Sequence, residues 1–134
     1  MKKLLITSYW IGILADALAT VLLFSPTVAG LVLQPQSFEV SASYLYVSRI
    51  AGALMLGWTV LLFWAQLDPV ERADILLLTL FPVVTLLAVA AVLVAQSGAI
   101  PLSRLLPMFG LYIIIYGTFI PSFLWAKRQA HTAL

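Results

Sequence analysis

The chain of 134 residues contains no cysteine and a single histidine, and only 9% of its residues are charged. Without cysteine there is no disulfide, no thiolate metal site and no thiol redox chemistry. The histidine, His131, lies in the polar C-terminal tail, so the apolar segments offer no imidazole as a general base or haem ligand. We therefore expect neither a cofactor nor a bound metal.

Charge is too sparse and too scattered for two further classes of protein. Soluble domains carry about 25% charged residues, so this composition cannot build a surface that faces water. The net charge is +2, without the clustered basic face that nucleic-acid binding requires. No HExxH, GxSxG, P-loop or dinucleotide motif occurs in the chain. These absences leave an integral membrane protein as the expected class.

Long apolar runs are what the chain has instead. Four of them approach the roughly 20 residues that a spanning helix needs, and they cover about residues 4–24, 44–66, 69–95 and 105–126. They predict an all-α fold: a polytopic membrane protein whose single domain, residues 1–134, is an antiparallel bundle of four transmembrane helices. The basic start and the first run mimic a signal peptide. The run continues through Phe24, however, so we expect an uncleaved first span.

Prolines and turn residues separate the runs. Ser25-Pro26 ends the first run, and the apolar stretch beyond it, Val28–Leu33, is expected to be a kinked extension or a short interfacial turn. Asp68-Pro69-Val70-Glu71 resembles a capping box with proline at the first helical position, which predicts that the third helix begins near Pro69. The second and third helices should then form an antiparallel hairpin. Helix capping is the simplest account of the acidic residues in this turn, and a carboxylate metal site is the alternative; they are Asp68, Glu71 and Asp74.

Basic residues concentrate on the side of the membrane that holds both termini and the loop between the second and third helices. This side carries Lys2, Lys3, Arg72, Lys127 and Arg128. Arg104 lies on the opposite side, as does Arg49 where it counts as a loop residue. The positive-inside rule then predicts that both termini are cytoplasmic, and we expect the inner membrane of a bacterium.

One carboxylate lies inside an otherwise apolar span. At 1.5 Å per residue, Asp16 lies about 18 Å from the termini side of a hydrocarbon core that is about 30 Å thick. Arg49 enters the second helix from the opposite side and reaches a depth of about 7–8 Å. Each charge alone costs about 2.5–3.5 kcal/mol at the bilayer centre. We therefore expect Asp16 and Arg49 to meet in the outer half of the bundle, the half that lies opposite the termini.

Four hydroxyl side chains are expected at a similar depth. Each has a structural interpretation: threonine bonds its own helix backbone, and tyrosine packs as an amphipathic core residue. Their coincidence in depth with the charged pair favours a shared polar pocket. The candidate residues for binding a ligand or ion are Asp16, Arg49, Thr20, Ser48, Tyr112 and Tyr116.

Two functions compete for this pattern. In the first, a small membrane protein binds or translocates a small polar or amphipathic ligand, or an ion, at the polar cluster. In the second, the protein is a non-catalytic accessory or scaffolding subunit of a larger membrane complex, and the Asp16–Arg49 pair only fixes helix packing. A third function, an enzyme acting on lipid or quinone, lacks catalytic groups in the spans. Expected partners are membrane lipids and either further copies of the chain or a larger membrane complex.

Overall fold

The computed structural model describes residues 1–35 and 39–132 of the chain. These residues are helical, and they contain no strand. In chain order the helices are α1 (Lys2–Phe24), α2 (Pro26–Leu33), α3 (Ala42–Ala65), α4 (Asp74–Leu78), α5 (Thr85–Ser97) and α6 (Leu102–Thr132), with a π-helical segment, Thr79–Val84, between α4 and α5. The predicted all-α fold class is confirmed.

Four helical stretches among the described residues are long and apolar enough to cross a membrane: Lys2–Phe24, Ala42–Ala65, Asp74–Ser97 and Leu102–Ala130. The protein is therefore an integral membrane protein with a four-helix bundle. The third span runs from α4 through the π-helical segment to α5. It begins at Asp74, so the prediction that it begins near Pro69 is wrong by more than one helical turn.

Tertiary contacts explain the late start of the third span. No side chain caps α4, and the segment from Gln66 to Ala73 is a series of turns. The hydroxyl of Tyr9 donates to the carbonyl oxygen of Arg72 at 2.9 Å, and the Arg72 guanidinium donates to the carbonyl oxygen of Trp64 at 2.7 Å. These bonds tie the turn to α1 and α3. They hold residues 66–73 as turns, although the capping pattern predicts a helix from Pro69.

The first span ends at Phe24, immediately before Ser25-Pro26, as predicted from the proline. Ser25 leaves the helical region, with φ −120° and ψ 93°, and its side chain accepts a hydrogen bond from the amide of Val28. Pro26 then starts α2, a helix of 8 residues. Gln34 is the C-cap of this helix, and its φ of 44° lies in the left-handed region. The apolar stretch after the first span is thus a separate short helix that follows a kink.

Helix α1 is central to the bundle. It packs most extensively against α3 and next against α6, while α6 also contacts α4, the π-helical segment and α5. The second and third spans contact each other little, although a short turn joins them, so the expected hairpin is not the main antiparallel pair. Glycines bring the main pair close: the Phe24 ring lies against Gly52, and Leu62 lies against Gly12.

The third span is broken near its middle. Phe81 departs from helical geometry, with φ −125° and ψ 108°, immediately before Pro82. The hydroxyl of Thr85 donates to the carbonyl oxygen of Leu80 at 2.8 Å and satisfies a backbone acceptor at the break. Below the break, on the termini side, Leu76 and Leu80 are wholly buried, whereas α5 buries only Ala91. The break therefore separates a packed part of the span from a loosely packed part.

Candidate functional site

Asp16 and Arg49 do not meet, so the expected ion pair is wrong. Among residues 1–35 and 39–130, the recorded ion pair joins Lys127 Nζ to Asp74 Oδ1 at 2.8 Å. The register of the α1–α3 pair explains the separation. The Ser48 hydroxyl reaches the carbonyl oxygen of Leu23, which places its neighbour Arg49 at the end of α1, about 12 Å beyond Asp16 along the helix. Arg49 is exposed.

The Asp16 side chain faces the interior of the bundle. It lies one helical turn beyond Gly12. A β-carbon at Gly12 would approach Phe119 of α6 and Leu62 of α3, so this face of α1 is packed against both helices. Asp16 therefore shares the face of α1 that packs against α3 and α6 at Gly12. Its Oδ2 atom is buried, and no described residue offers it a hydrogen bond. In an apolar span this is a carboxylate oxygen whose need for a donor is unmet.

The packing of α3 becomes looser at the level of Asp16. In the antiparallel pair Gly12 lies opposite Leu62, so Asp16 lies opposite Trp58. The Trp58 indole N–H donates to the Thr79 hydroxyl at 3.1 Å and joins α3 to the third span. Between Gly52 and Leu62, α3 has no buried residue. The Asp16 carboxylate therefore borders a segment of α3 in which Trp58 is half-buried and no residue is fully buried.

Two of the predicted site residues use their hydroxyls on helix backbone. Thr20 donates to the carbonyl oxygen of Asp16 at 2.8 Å, and Ser48 donates to the carbonyl oxygen of Leu23. Both side chains are buried. A hydroxyl has one proton, so neither side chain has a hydrogen left to donate to a ligand. Thr20 and Ser48 stabilise α1 and its contact with α3, as the structural interpretation states.

Tyr112 and Tyr116 share a groove between α5 and α6. The groove has a volume of about 640 Å³ and apolar walls that include Ala88, Val92 and Phe109. The Tyr116 hydroxyl lies 2.7 Å from Thr85 Oγ1, and it is the donor, because the Thr85 proton goes to the Leu80 carbonyl. The Tyr112 ring packs edge to face against Phe109 at 6.4 Å. Neither tyrosine has a recorded hydrogen bond to Asp16 within the described chain, so the six candidates do not form one cluster.

A buried polar network on the termini side escaped the sequence reasoning. The Ser8 and Ser122 hydroxyls lie 2.8 Å apart, and both side chains are wholly buried. The Ser8 hydroxyl donates to the carbonyl oxygen of Leu4 at 2.9 Å. A second polar contact on the same side is more exposed: the Arg72 guanidinium lies 3.8 Å from the centre of the Trp64 ring. The available signal was a serine at matching depth in the first and last spans, which indicates a polar contact between spanning helices.

Carboxylates do not gather into a metal site in the part of the chain that the structure describes, where no group of three or more histidine, cysteine, aspartate or glutamate residues could hold an ion. Asp74 pairs instead with Lys127. The acidic residues of the turn between α3 and α4 thus have no metal-binding geometry.

No protein-family model, curated protein or solved structure matches the chain. The class that the fold and the site define is a membrane protein of four spans with an unpartnered carboxylate oxygen between its helices. Any function is therefore argued from that geometry.

Proposed function

We propose that this membrane protein binds a small amphipathic ligand whose cationic or hydrogen-bond-donating group meets Asp16. The observation that carries the proposal is the buried Oδ2 atom of Asp16, to which no described residue donates. A charged carboxylate costs about 2.5–3.5 kcal/mol at the centre of a spanning helix. A donor or cation on a ligand offsets that cost, and the apolar spans accommodate the rest of the molecule.

The basic residues of the chain support an external partner for Asp16. Lys127 pairs with Asp74, and Arg72 is held by Trp64. Arg49 is exposed about 12 Å away along the helix axis. Since no described residue donates to Asp16 Oδ2, the proposed counterpart comes from outside the described residues. The loosely packed segment of α3 opposite Asp16, between Gly52 and Leu62, is the proposed path of entry.

The second candidate function is that of an accessory subunit, with a basic residue on a helix of another membrane protein as the partner of Asp16. The observation that favours it is the sparse packing of α5, which buries only Ala91 within the chain. Ionisable residues within membranes commonly pair with one another across helices. A partner helix against α5 would also cover the groove that Tyr112 and Tyr116 line.

The proposed orientation is that both termini face the cytoplasm of a bacterial inner membrane, supported by the concentration of basic residues on the termini side. The absence of native cysteine allows a clean test. In intact cells, a membrane-impermeant thiol reagent is expected to label Ala42→Cys and to spare Ala130→Cys. Labelling of Ala130→Cys alone would reverse the orientation.

Binding at Asp16 is tested with a brominated alkylamine of medium chain length, whose bromine quenches tryptophan fluorescence on contact. For protein in phosphatidylcholine vesicles, we expect saturable quenching, because Trp58 lies opposite Asp16. Asp16→Asn should weaken this binding about tenfold or more, as expected for a lost hydrogen bond to a charged group. The matched control is Glu39→Gln, which removes the same charge from an exposed position. The corresponding brominated alcohol should bind more weakly than the amine.

Equal affinities of the amine for wild type, Asp16→Asn and Glu39→Gln would contradict the ligand proposal. The accessory-subunit function predicts a different result from the same variants. In that case Asp16→Asn, but not Glu39→Gln, would abolish chemical cross-linking of the chain to a particular membrane protein in its native membrane.

A further inference from the structure

A second groove lies between α1, α2 and α6, in the outer half of the bundle. Its volume is about 410 Å³, and its walls are mainly apolar. Wall residues include Ala15, Ala19, Leu22, Leu33, Met108 and Leu111, while Ser103 and Arg104 stand at one end. From Arg104 to Leu111, α6 descends about 10 Å towards the middle of the membrane. The groove therefore has a polar end at the membrane surface and an apolar body within the bilayer.

Arg104 is held across the mouth of this groove. Its Nη2 atom donates to Gln34 Oε1 at 2.6 Å, which ties the first turn of α6 to the residue that ends α2. The bond is to a neutral amide, and the one ion pair recorded among the described side chains does not involve Arg104. A guanidinium has five N–H donors in a planar fork, so most of its hydrogen-bonding capacity is free for an anion.

We propose that this groove binds an anionic membrane phospholipid, with an acyl chain along the apolar walls and the phosphate at Arg104. Bilayer hydrocarbon is as apolar as the groove, so the chain alone confers no preference for one lipid over another. The preference for an anionic lipid comes from charge complementarity. The planar guanidinium of Arg104 matches the oxygens of a phosphate, and Arg104 has no recorded acidic partner among the described residues. The Ser103 hydroxyl, on the same rim, supplies a further donor. This inference does not depend on the function proposed for Asp16.

The lipid site is tested with protein reconstituted into phosphatidylcholine vesicles that contain spin-labelled phosphatidylglycerol or spin-labelled phosphatidylcholine. Electron spin resonance measures the fraction of each lipid that the protein immobilises. We expect wild-type protein to prefer phosphatidylglycerol. Arg104→Gln should reduce that preference about fivefold, the effect of one basic residue near an anionic headgroup. Arg49→Gln is the matched control, since Arg49 is an exposed arginine in the same half of the bundle, outside the groove.

A third variant tests the apolar body of the groove while Arg104 stays in place. Ala19→Phe should occupy the space of an acyl chain and lower the immobilised fraction of phosphatidylglycerol. Circular dichroism confirms that each variant remains helical. The proposal is overturned if Arg104→Gln and Arg49→Gln reduce the preference equally, because the effect would then be general surface charge. It is also overturned if inorganic phosphate at millimolar concentration abolishes the preference, or if Ala19→Phe changes nothing, because either result indicates an anion site without a lipid chain.

Discussion

The two halves of the bundle differ in how fully their helices cover one another. On the termini side the spans share a core whose largest side chains are wholly buried, among them Tyr9, Leu62 and Phe119. In the outer half, α5 buries only Ala91. Hydrogen bonding follows the same division: Ser8 and Ser122 satisfy each other on the termini side, whereas Asp16, at the boundary, has an unmet acceptor.

This difference separates the residues that hold the fold from the residues that are available for binding. Both proposed sites, Asp16 and the groove under Arg104, lie at or beyond the level at which the packing of α3 and α5 becomes looser. The packed half supplies a rigid frame, and the outer half offers uncovered surfaces to ligand, lipid or a partner helix. The comparison can be tested by changes of the same kind in each half.

Phe119→Ala is expected to have the largest effect. The Phe119 ring is wholly buried against Gly12, so its removal should lower the free energy of unfolding by about 3–5 kcal/mol. Phe109→Ala, at the half-buried wall of the outer groove, is the matched control and should cost less than half as much. The measurement is unfolding by sodium dodecyl sulfate in mixed micelles. Equal losses would remove the distinction between the halves.

Gly12→Leu is expected to destabilise the protein by about 1–3 kcal/mol, because side chains already occupy the space that a larger residue needs. A β-carbon at Gly12 would lie 3.0 Å from Phe119 and 3.1 Å from Leu62. At Gly57 nothing lies within 4 Å of the same atom. Gly57→Leu should therefore leave stability unchanged or raise it slightly through helix propensity. The same unfolding assay checks the pair, and comparable losses would indicate that α3 is covered at Gly57.

Asp16→Leu is expected to stabilise the protein by about 1–2 kcal/mol, less than the full cost of a carboxylate in a spanning helix because the side chain is partly exposed. Replacing a residue that is kept for function at a cost to folding is expected to raise the free energy of unfolding. Unfolding in mixed micelles gives the value, and Glu39→Leu at an exposed position shows the effect of the charge alone. A loss of stability in Asp16→Leu would mean that the carboxylate has a structural partner.

Two double-mutant cycles probe the smallest difference. In the packed half the cycle combines Ser8→Ala with Ser122→Ala, and in the outer half it combines Thr85→Val with Tyr116→Phe. Hydrogen bonds between spanning helices contribute about 0.6 kcal/mol on average, and we expect the wholly buried serine pair to exceed that value and the Thr85–Tyr116 pair to fall near it. A larger coupling for Thr85 and Tyr116 would show that the outer half is held as firmly as the core.

The number and approximate ends of the spans follow from the sequence, because length, apolar content and proline act locally. Ser25-Pro26 ended α1 as expected for this reason. The start of the third span did not follow, since Tyr9 and Arg72, far apart in the chain, hold the turn by a hydrogen bond. A local capping pattern contains no information about that contact.

The site was harder to predict because it depends on how helices align. The depth of Asp16 within its own span is a prediction that requires only the rise of one helix. The meeting with Arg49 required the register of α1 against α3, which is set by the fit of Phe24 on Gly52 and of Leu62 on Gly12. Hydroxyl residues such as Thr20 pose a similar difficulty, since sequence does not show whether the proton goes to the backbone or into a pocket.

The break at Phe81 makes the third span two rods joined at a single residue. The lower rod packs against α6 and carries the wholly buried Leu76 and Leu80, whereas the upper rod, α5, is about 20 Å long and touches little besides α6. A rotation of about 10° at the joint would carry Ser97, about 24 Å away at the tip of the upper rod, by about 4 Å. The backbone torsion of one residue would thus set how wide the bundle opens towards the surrounding lipid, as a lever amplifies a small turn at its pivot.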